Sequence, residues 1–282
     1  MTRKKVVGLL VVYYEDYFTS AVTRFESLLT KLNNDYLLII ISNNTILSSS
    51  NCSDHRLRLE GDNALREFSA WDKGLAYCRD HQLLADDGLL VLANDTFCHH
   101  NHFGFITRRA FTSAFHHLLR NSNEPIIAGE VHSFGRDFQI MGKPSSSWVS
   151  TYLFGMNAEL FRRLGRLTPE TDMDSFFTGQ SEDDFISGPI SKHLAEHIQS
   201  WLFSPERKNS WYRAGHLNYS NRNSYIGKAK SILCEKCLSA EVISIGGHIR
   251  SVFSNPIVRK ARKLEKLLPE FWKKITKLRG NI

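Results

Sequence analysis

The stretch Val6–Tyr14 runs apolar and β-branched for most of its length, as expected of a strand covered on both faces. Two more such runs follow, at Tyr36–Ile41 and Leu89–Ala93. Between the first two, Phe18, Val22, Phe25, Leu28, Leu29 and Leu32 recur at helical spacing. Before the third, Ala64–Leu84 reads as a helix, with capping chemistry in Gly61-Asp62-Asn63 and a turn at Asp86-Asp87-Gly88. Strand and helix in alternation specify a parallel α/β sheet flanked by helices.

Beyond residue 104 the pattern is less regular. Phe105–Leu119 reads as a helix and Pro125–Gly129 as a short fourth strand. Val131–Ser147 reads as an excursion, Trp148–Met156 as another strand, and Asn157–Leu164 as a helix. Thr168–Gly179 is loop-like, and a helical segment runs from the acidic triplet to about Leu202. The second strand closes on Ser42-Asn43-Asn44-Thr45, and a polar loop follows to about residue 59.

Ligands of parallel sheets bind beyond the carboxyl ends of the strands. Asn43-Asn44 and Asn94-Asp95 stand at two such ends and are placed to line one crevice. The same residue types also make simple turns after strands. Glu182, Asp183 and Asp184 are consecutive acids that suit a helix N-terminus capped by Ser181, or a general base at the crevice mouth, or both. His99, His100 and His102 lack the spacing of helical metal ligands and read as solvated or acceptor-facing. Trp148, Tyr152 and Phe154 fit core packing, with an aromatic platform for a sugar ring as the alternative.

Hydrophobic content of 42% with 23% charged residues fits an ordinary globular chain. The formal charge of +7 is concentrated at one end: nine Lys or Arg against two Glu fall between Arg259 and Arg279. A body close to neutral argues against nucleic-acid binding. The five cysteines, with one Cys234-Glu235-Lys236-Cys237 motif late in the chain, read as reduced thiols of a cytoplasmic protein. Thr2-Arg3-Lys4-Lys5 before Val6 resembles the start of a signal peptide, but no small-residue cleavage site follows. In the tail, Ile257, Ala261, Leu264, Leu268, Phe271, Ile275 and Leu278 form one apolar stripe among cations, interrupted by Pro269. Such a helix, with Phe271 and Trp272, suits an anionic membrane surface; packing on the main domain or on a second copy of the chain is the alternative. The expected division is a main domain over 1–225 and a helical extension over 226–282.

Several segments together resemble a GT-A glycosyltransferase, especially the bacterial polysaccharide enzymes related to rhamnan synthesis protein F. "VVGLLVVYYEDYFTSAVTRFESLL" resembles the opening unit and "LLIIISNNT" the second strand, whose polar end contacts the nucleobase in that family. "GDNALREFSAWDKGLAYC" resembles the Gly-Asp turn and the helix after it. "LLVLANDTF" resembles the strand ending in D-x-D or its Asn-Asp-Ser variant, and "SEDDF" the Glu-Asp base motif. The similarity covers roughly residues 6–104 well and 148–220 loosely. The first Asp of D-x-D falls on Ala93, leaving Asp95 as that motif's carboxylate.

The resemblance implies a GT-A-like, mostly parallel sheet and sugar transfer from a nucleotide-sugar donor to a glycan or lipid-linked acceptor. It implies Tyr13, Asn43, Asn44, Asp62, Asn63, Arg66, Asn94 and Asp95 at the donor, with Asp183 as inverting base beside Glu182. Trp148, Tyr152 and Asp184 would meet the acceptor. Asp95 and His216, in "RAGHLNY", would hold a divalent cation, Mn2+ or Mg2+. The place implied is the inner face of the bacterial cytoplasmic membrane, peripherally, with the basic helix on the lipid. Two other readings stand beside this one. A nucleotidyltransferase would want a Gly-rich loop with a following Lys after the first strand, which "YYEDYF" lacks. A GT-A-like module without catalysis would bind a glycan or a partner enzyme.

Overall fold

The computed structural model describes residues 2–44, 55–207 and 210–279, with side chains only up to residue 267 in the last helix. One sheet holds seven strands: β1 (Lys4–Val12), β2 (Tyr36–Ser42), β3 (Arg56–Glu60), β4 (Leu84–Asn94), β5 (Ile126–Ile140), β6 (Lys143–Asn157) and β7 (His248–Ser251). Their order is β3-β2-β1-β4-β6-β5-β7. The β1–β2, β1–β4, β2–β3 and β5–β7 pairs are parallel; β6 runs antiparallel to both β4 and β5. This is the mostly parallel α/β architecture expected from the strand and helix alternation.

Helices cover both faces. α1 (Glu15–Leu32) and α3 (Phe105–Arg120) bury Phe25, Leu29, Phe111 and Phe115 on one face with Val6, Leu10 and Val91. α2 (Glu67–Asp80), α4 (Ala158–Arg163), α5 (Lys192–Phe203) and α6 (Arg222–Ser244) close the other over Leu9, Ile39, Leu92 and Phe154. A Cβ on Gly74 would fall 2.7 Å from Ile41 Cδ1, so glycine lets α2 lie tight against the strands. Trp71, fully buried beneath the sheet, donates its Nε1–H to Ala93 O at 3.3 Å, next to the polar end of β4. Chain order reverses across β1 and β4: the chain leaves β1 toward β2 and β3, then returns to β1's other side. Such a switch point opens a crevice at the carboxyl ends of the strands.

Several local expectations are corrected. The end of the anticipated loop, from residue 56, falls in edge strand β3, while its residues 46–54 lie outside the described residues. α2 starts at Glu67 rather than Ala64, and Asp86-Asp87-Gly88 lies within β4. The 131–147 excursion is the long β5–β6 hairpin. The acidic triplet begins no helix; α5 starts ten residues later, after Ser191. The boundary at 225/226 falls inside α6, whose Leu233, Cys234 and Leu238 are core, and β7 completes the sheet.

α7 (Pro256–Arg279) runs as one helix through Pro269. It docks by a polar face. Arg262 is clamped on Glu130 at 2.6 and 2.8 Å, the Tyr152 hydroxyl donates to the same carboxylate at 2.5 Å, and Glu265 accepts from Ile106 N–H at 2.9 Å. The stripe faces outward instead: Ile257 is 75% exposed, Leu264 65% and neighbouring Leu267 57%. The side chains of Leu268, Phe271, Trp272, Ile275 and Leu278 lie outside the described residues.

Candidate functional site

Asp95 opens a short 3-10 turn at the end of β4 and is only 3% exposed. Its Oδ2 accepts the backbone N–H groups of both Tyr13 and Tyr14, each at 2.7 Å. These amides lead into α1, whose N-terminal end favours a negative charge. The carboxylate therefore bolts the β1–α1 loop to the end of β4. Burial pushes its carboxyl up, and the two amide hydrogens oppose that. Thr96 donates to Asn94 Oδ1 at 2.7 Å, fixing the adjacent amide. Asn44 ties the same loop from β2, donating to Tyr13 O at 3.0 Å.

The entry to α2 forms the next wall. Asn43 donates from Nδ2 to Arg66 O at 2.9 Å and to Asn63 Oδ1 at 3.3 Å. A Cβ on Gly61 would sit 1.9 Å from Asn43 Oδ1, so only glycine leaves room for this brace. Asn63 and Arg66 both take positive φ, at 54° and 53°. Arg66 combines this with ψ −129°, a conformation costing a non-glycine residue roughly 1–3 kcal/mol. Asp62 holds the turn, accepting from Ala64 N–H at 3.0 Å and Ser69 Oγ at 2.6 Å. The result aims the Arg66 side chain into the crevice.

The third wall comes from far along the chain. Trp211, Tyr212 and Arg213 line the crevice from the loop before α6, and Lys228 lines it from α6. Trp211 N–H donates to Trp201 O at 3.1 Å, and the Tyr225 hydroxyl donates toward Arg213 O and Gly215 O at 3.0 Å. Glu182 holds the loop's far end, accepting from Leu217 N–H at 2.8 Å and His216 Nδ1 at 3.2 Å. The crevice has a volume of about 390 Å³ and opens to solvent. It gathers Arg66, Arg213 and Lys228 around Asp95 and Glu67. Lys228 Nζ makes no hydrogen bond or ion pair among the described residues; it lies 5.6 Å from the Trp201 ring centroid. Burial pulls its ammonium down, with Glu67 opposing.

No family model matches the chain, and no curated protein matches it.

Of the residues expected at the donor, Tyr13, Asn43, Asn63, Arg66, Asn94 and Asp95 line the crevice, whereas Asn44 and Asp62 brace it. Glu182 anchors its wall. Asp183 does not line it: its side chain is exposed and its carbonyl accepts from Gln199 at 2.7 Å. Asp184 folds back on Ser181, accepting its N–H at 2.7 Å and hydroxyl at 2.6 Å. Tyr152 is not brought to the crevice. It packs with the α1 and α3 face and donates to Glu130, on the opposite side of the sheet from Trp148. Functional residues missed by sequence reasoning are Tyr14, Glu67, Trp211, Tyr212, Arg213 and Lys228, and His100, read as solvated or acceptor-facing, lines the crevice too. The Arg66-Glu67 pair at a helix start was the one local signal available.

The donor set does not fit a divalent cation. Asp95 commits one carboxylate oxygen to two amides, and His216 is outside the lining and bonded to Glu182. Among the described residues no three His, Cys, Asp or Glu side chains gather as a metal site. Hard cations want several oxygen ligands, whereas here three basic side chains converge. The lining is cationic by one charge more than its two carboxylates, Asp95 and Glu67, supply.

The Asp95 brace has a direct test in urea unfolding. Asp95→Ala strands two amides and should cost about 1–3 kcal/mol. Asp95→Asn keeps an acceptor oxygen and loses the buried charge, so it should stay much closer to the parent. Equal losses in the two variants would show that the amide bonds do not carry the loop.

Proposed function

We propose that the protein is a glycosyltransferase moving a sugar from a nucleotide-sugar donor to a growing, lipid-linked bacterial surface polysaccharide. The observation that carries this reading is the convergence of Arg66, Arg213 and Lys228 on the switch-point crevice. A diphosphate is the anion whose size and charge match such a set, since Arg binds phosphate through paired donors and Lys as a point charge. Tyr13 and Tyr14, in edge contact at 5.2 Å, offer partly exposed rings to a base. The three cations would stabilise the negative charge growing on the departing diphosphate, work that preorganised charges perform without solvent reorganisation.

The C-terminal helix supports the lipid-linked half of the reading. No helix among the described residues is long and apolar enough to cross a membrane. The outward Ile257, Leu264 and Leu267, flanked by Arg259, Lys260, Lys263 and Lys266, form an amphipathic surface suited to an anionic bilayer.

A non-catalytic glycan- or partner-binding module is the second reading. Ala93, in place of the first acid of the motif, favours it.

Isothermal titration with UDP, GDP, CDP and dTDP, first in EDTA and then with Mn2+, tests the donor site. One nucleotide should bind in EDTA, with less than about twofold change on adding metal. Lys228→Met should weaken it about tenfold or more, since a charged hydrogen bond contributes roughly 1.5–3 kcal/mol. Absence of binding by every nucleotide contradicts the reading; binding without any sugar turnover selects the module.

Vesicle flotation tests the helix. The parent should float with phosphatidylglycerol-containing vesicles and less with pure phosphatidylcholine. Ile257→Glu/Leu264→Glu/Leu267→Glu, which leaves Arg262 and Glu265 docked, should stay at the bottom. Unchanged flotation would remove this face from the membrane.

A further inference from the structure

A second cleft, of about 310 Å³, shares two residues with the first: Glu67 and Lys228. Its character differs. Its charges cancel, because Glu235 and Lys236 are paired at 2.7 Å and Glu235 also accepts the Thr151 N–H at 2.9 Å and hydroxyl at 3.1 Å. Trp148 is covered by Lys236 Nζ, 3.9 Å above its ring, whereas Lys228 Nζ stands 5.6 Å over the half-buried indole of Trp201, which leaves that ring the more open of the two. Ser231, 6% exposed, lines this cleft and its Oγ has no hydrogen-bond partner. Polar, locally neutral and indole-lined, the space matches a sugar ring, which presents hydroxyls at its edge and C–H groups on its face.

Glu67 is the group at the seam. It is the first residue of α2, where an acid complements the helix N-terminus. Yet its carboxylate accepts no hydrogen bond and makes no ion pair among the described residues, and it faces both clefts. Asp183 lines neither. A base for sugar transfer must reach the acceptor hydroxyl while that hydroxyl faces the donor's anomeric carbon.

We propose that the second cleft holds the acceptor glycan and that Glu67, at the seam, is the general base. This rests on the nucleotide-sugar reading of the first cleft. In the step, the acceptor O–H gives its proton to the Glu67 carboxylate as its oxygen bonds the anomeric carbon. The bond from that carbon to the diphosphate oxygen breaks, and its electron pair leaves on the diphosphate beside Lys228.

The experiment has two arms. In the first, octyl glycosides of glucose, galactose, mannose, rhamnose and N-acetylglucosamine are titrated while tryptophan fluorescence is followed. At least one should quench the parent, and Ser231→Leu, which fills the cleft, should lose that response while its nucleotide binding and Tm stay close to the parent's. No quench by any glycoside, or an undiminished one in Ser231→Leu, overturns the acceptor site. In the second, Glu67→Gln should lower sugar transfer by roughly 10²-fold or more while nucleoside diphosphate binds as tightly or tighter, one negative charge being gone from a cationic crevice. An active Glu67→Gln beside an inactive Asp183→Asn overturns the assignment and returns the base to the acidic triplet. If the parent binds glycosides at Ser231 but no nucleotide, the donor reading fails and the acceptor site alone stands.

Discussion

The crevice depends on one carboxylate and two amides. Asp95 is buried at the tip of β4, and burial alone would make its charge expensive. The Tyr13 and Tyr14 amides offset that cost and, in exchange, the loop between β1 and α1 is fixed. Without this link the wall bearing Tyr13 and Tyr14 would be tied to the strand ends through Asn44 alone among the polar side chains named here. The residue that looks most like a metal ligand thus acts first as a brace.

A second constraint is electrostatic. Lys228 comes from α6, Arg66 from a strained turn and Arg213 from a loop held by Tyr225 and Glu182. Three like charges brought together by separate elements repel one another, and a fold keeps such an arrangement stable only at a cost. An anionic ligand in the crevice would relieve it. Beyond Lys228 the charge balance returns to neutral, where Glu235 and Lys236 cancel. The two environments meet at Glu67.

Much of this was legible in the sequence and some of it was not. The buried strands announced themselves because both faces are covered, which leaves long apolar runs at Val6–Val12 and Leu89–Ala93. The polar tips Asn43, Asn94 and Asp95 followed from the strand ends. Arg213 and Lys228 did not, because they reach the crevice from a loop and a helix more than a hundred residues later, and only tertiary packing sets their direction. β3 does alternate, Arg56-Leu57-Arg58-Leu59-Glu60, with both leucines against the core, but the run is only five residues long and was read as part of the polar stretch before it. Tyr152 was misplaced because the β5–β6 register shifts between Gly129 and Glu130, which breaks the simple alternation of faces. The acidic triplet looked like a helix start, but Asp184 satisfies Ser181 within a bend and the helix begins at Lys192.

The most direct test of the central claim is to see what touches the crevice. Irradiating the protein with an azido analogue of the nucleoside diphosphate and mapping the modified peptides by mass spectrometry gives the answer. Labelling concentrated on the peptides carrying Tyr13-Tyr14 and Trp211-Tyr212-Arg213, and suppressed by unlabelled nucleotide, is the predicted result. Labelling that is scattered over the surface, or that ignores the competitor, would contradict a nucleotide site at this switch point.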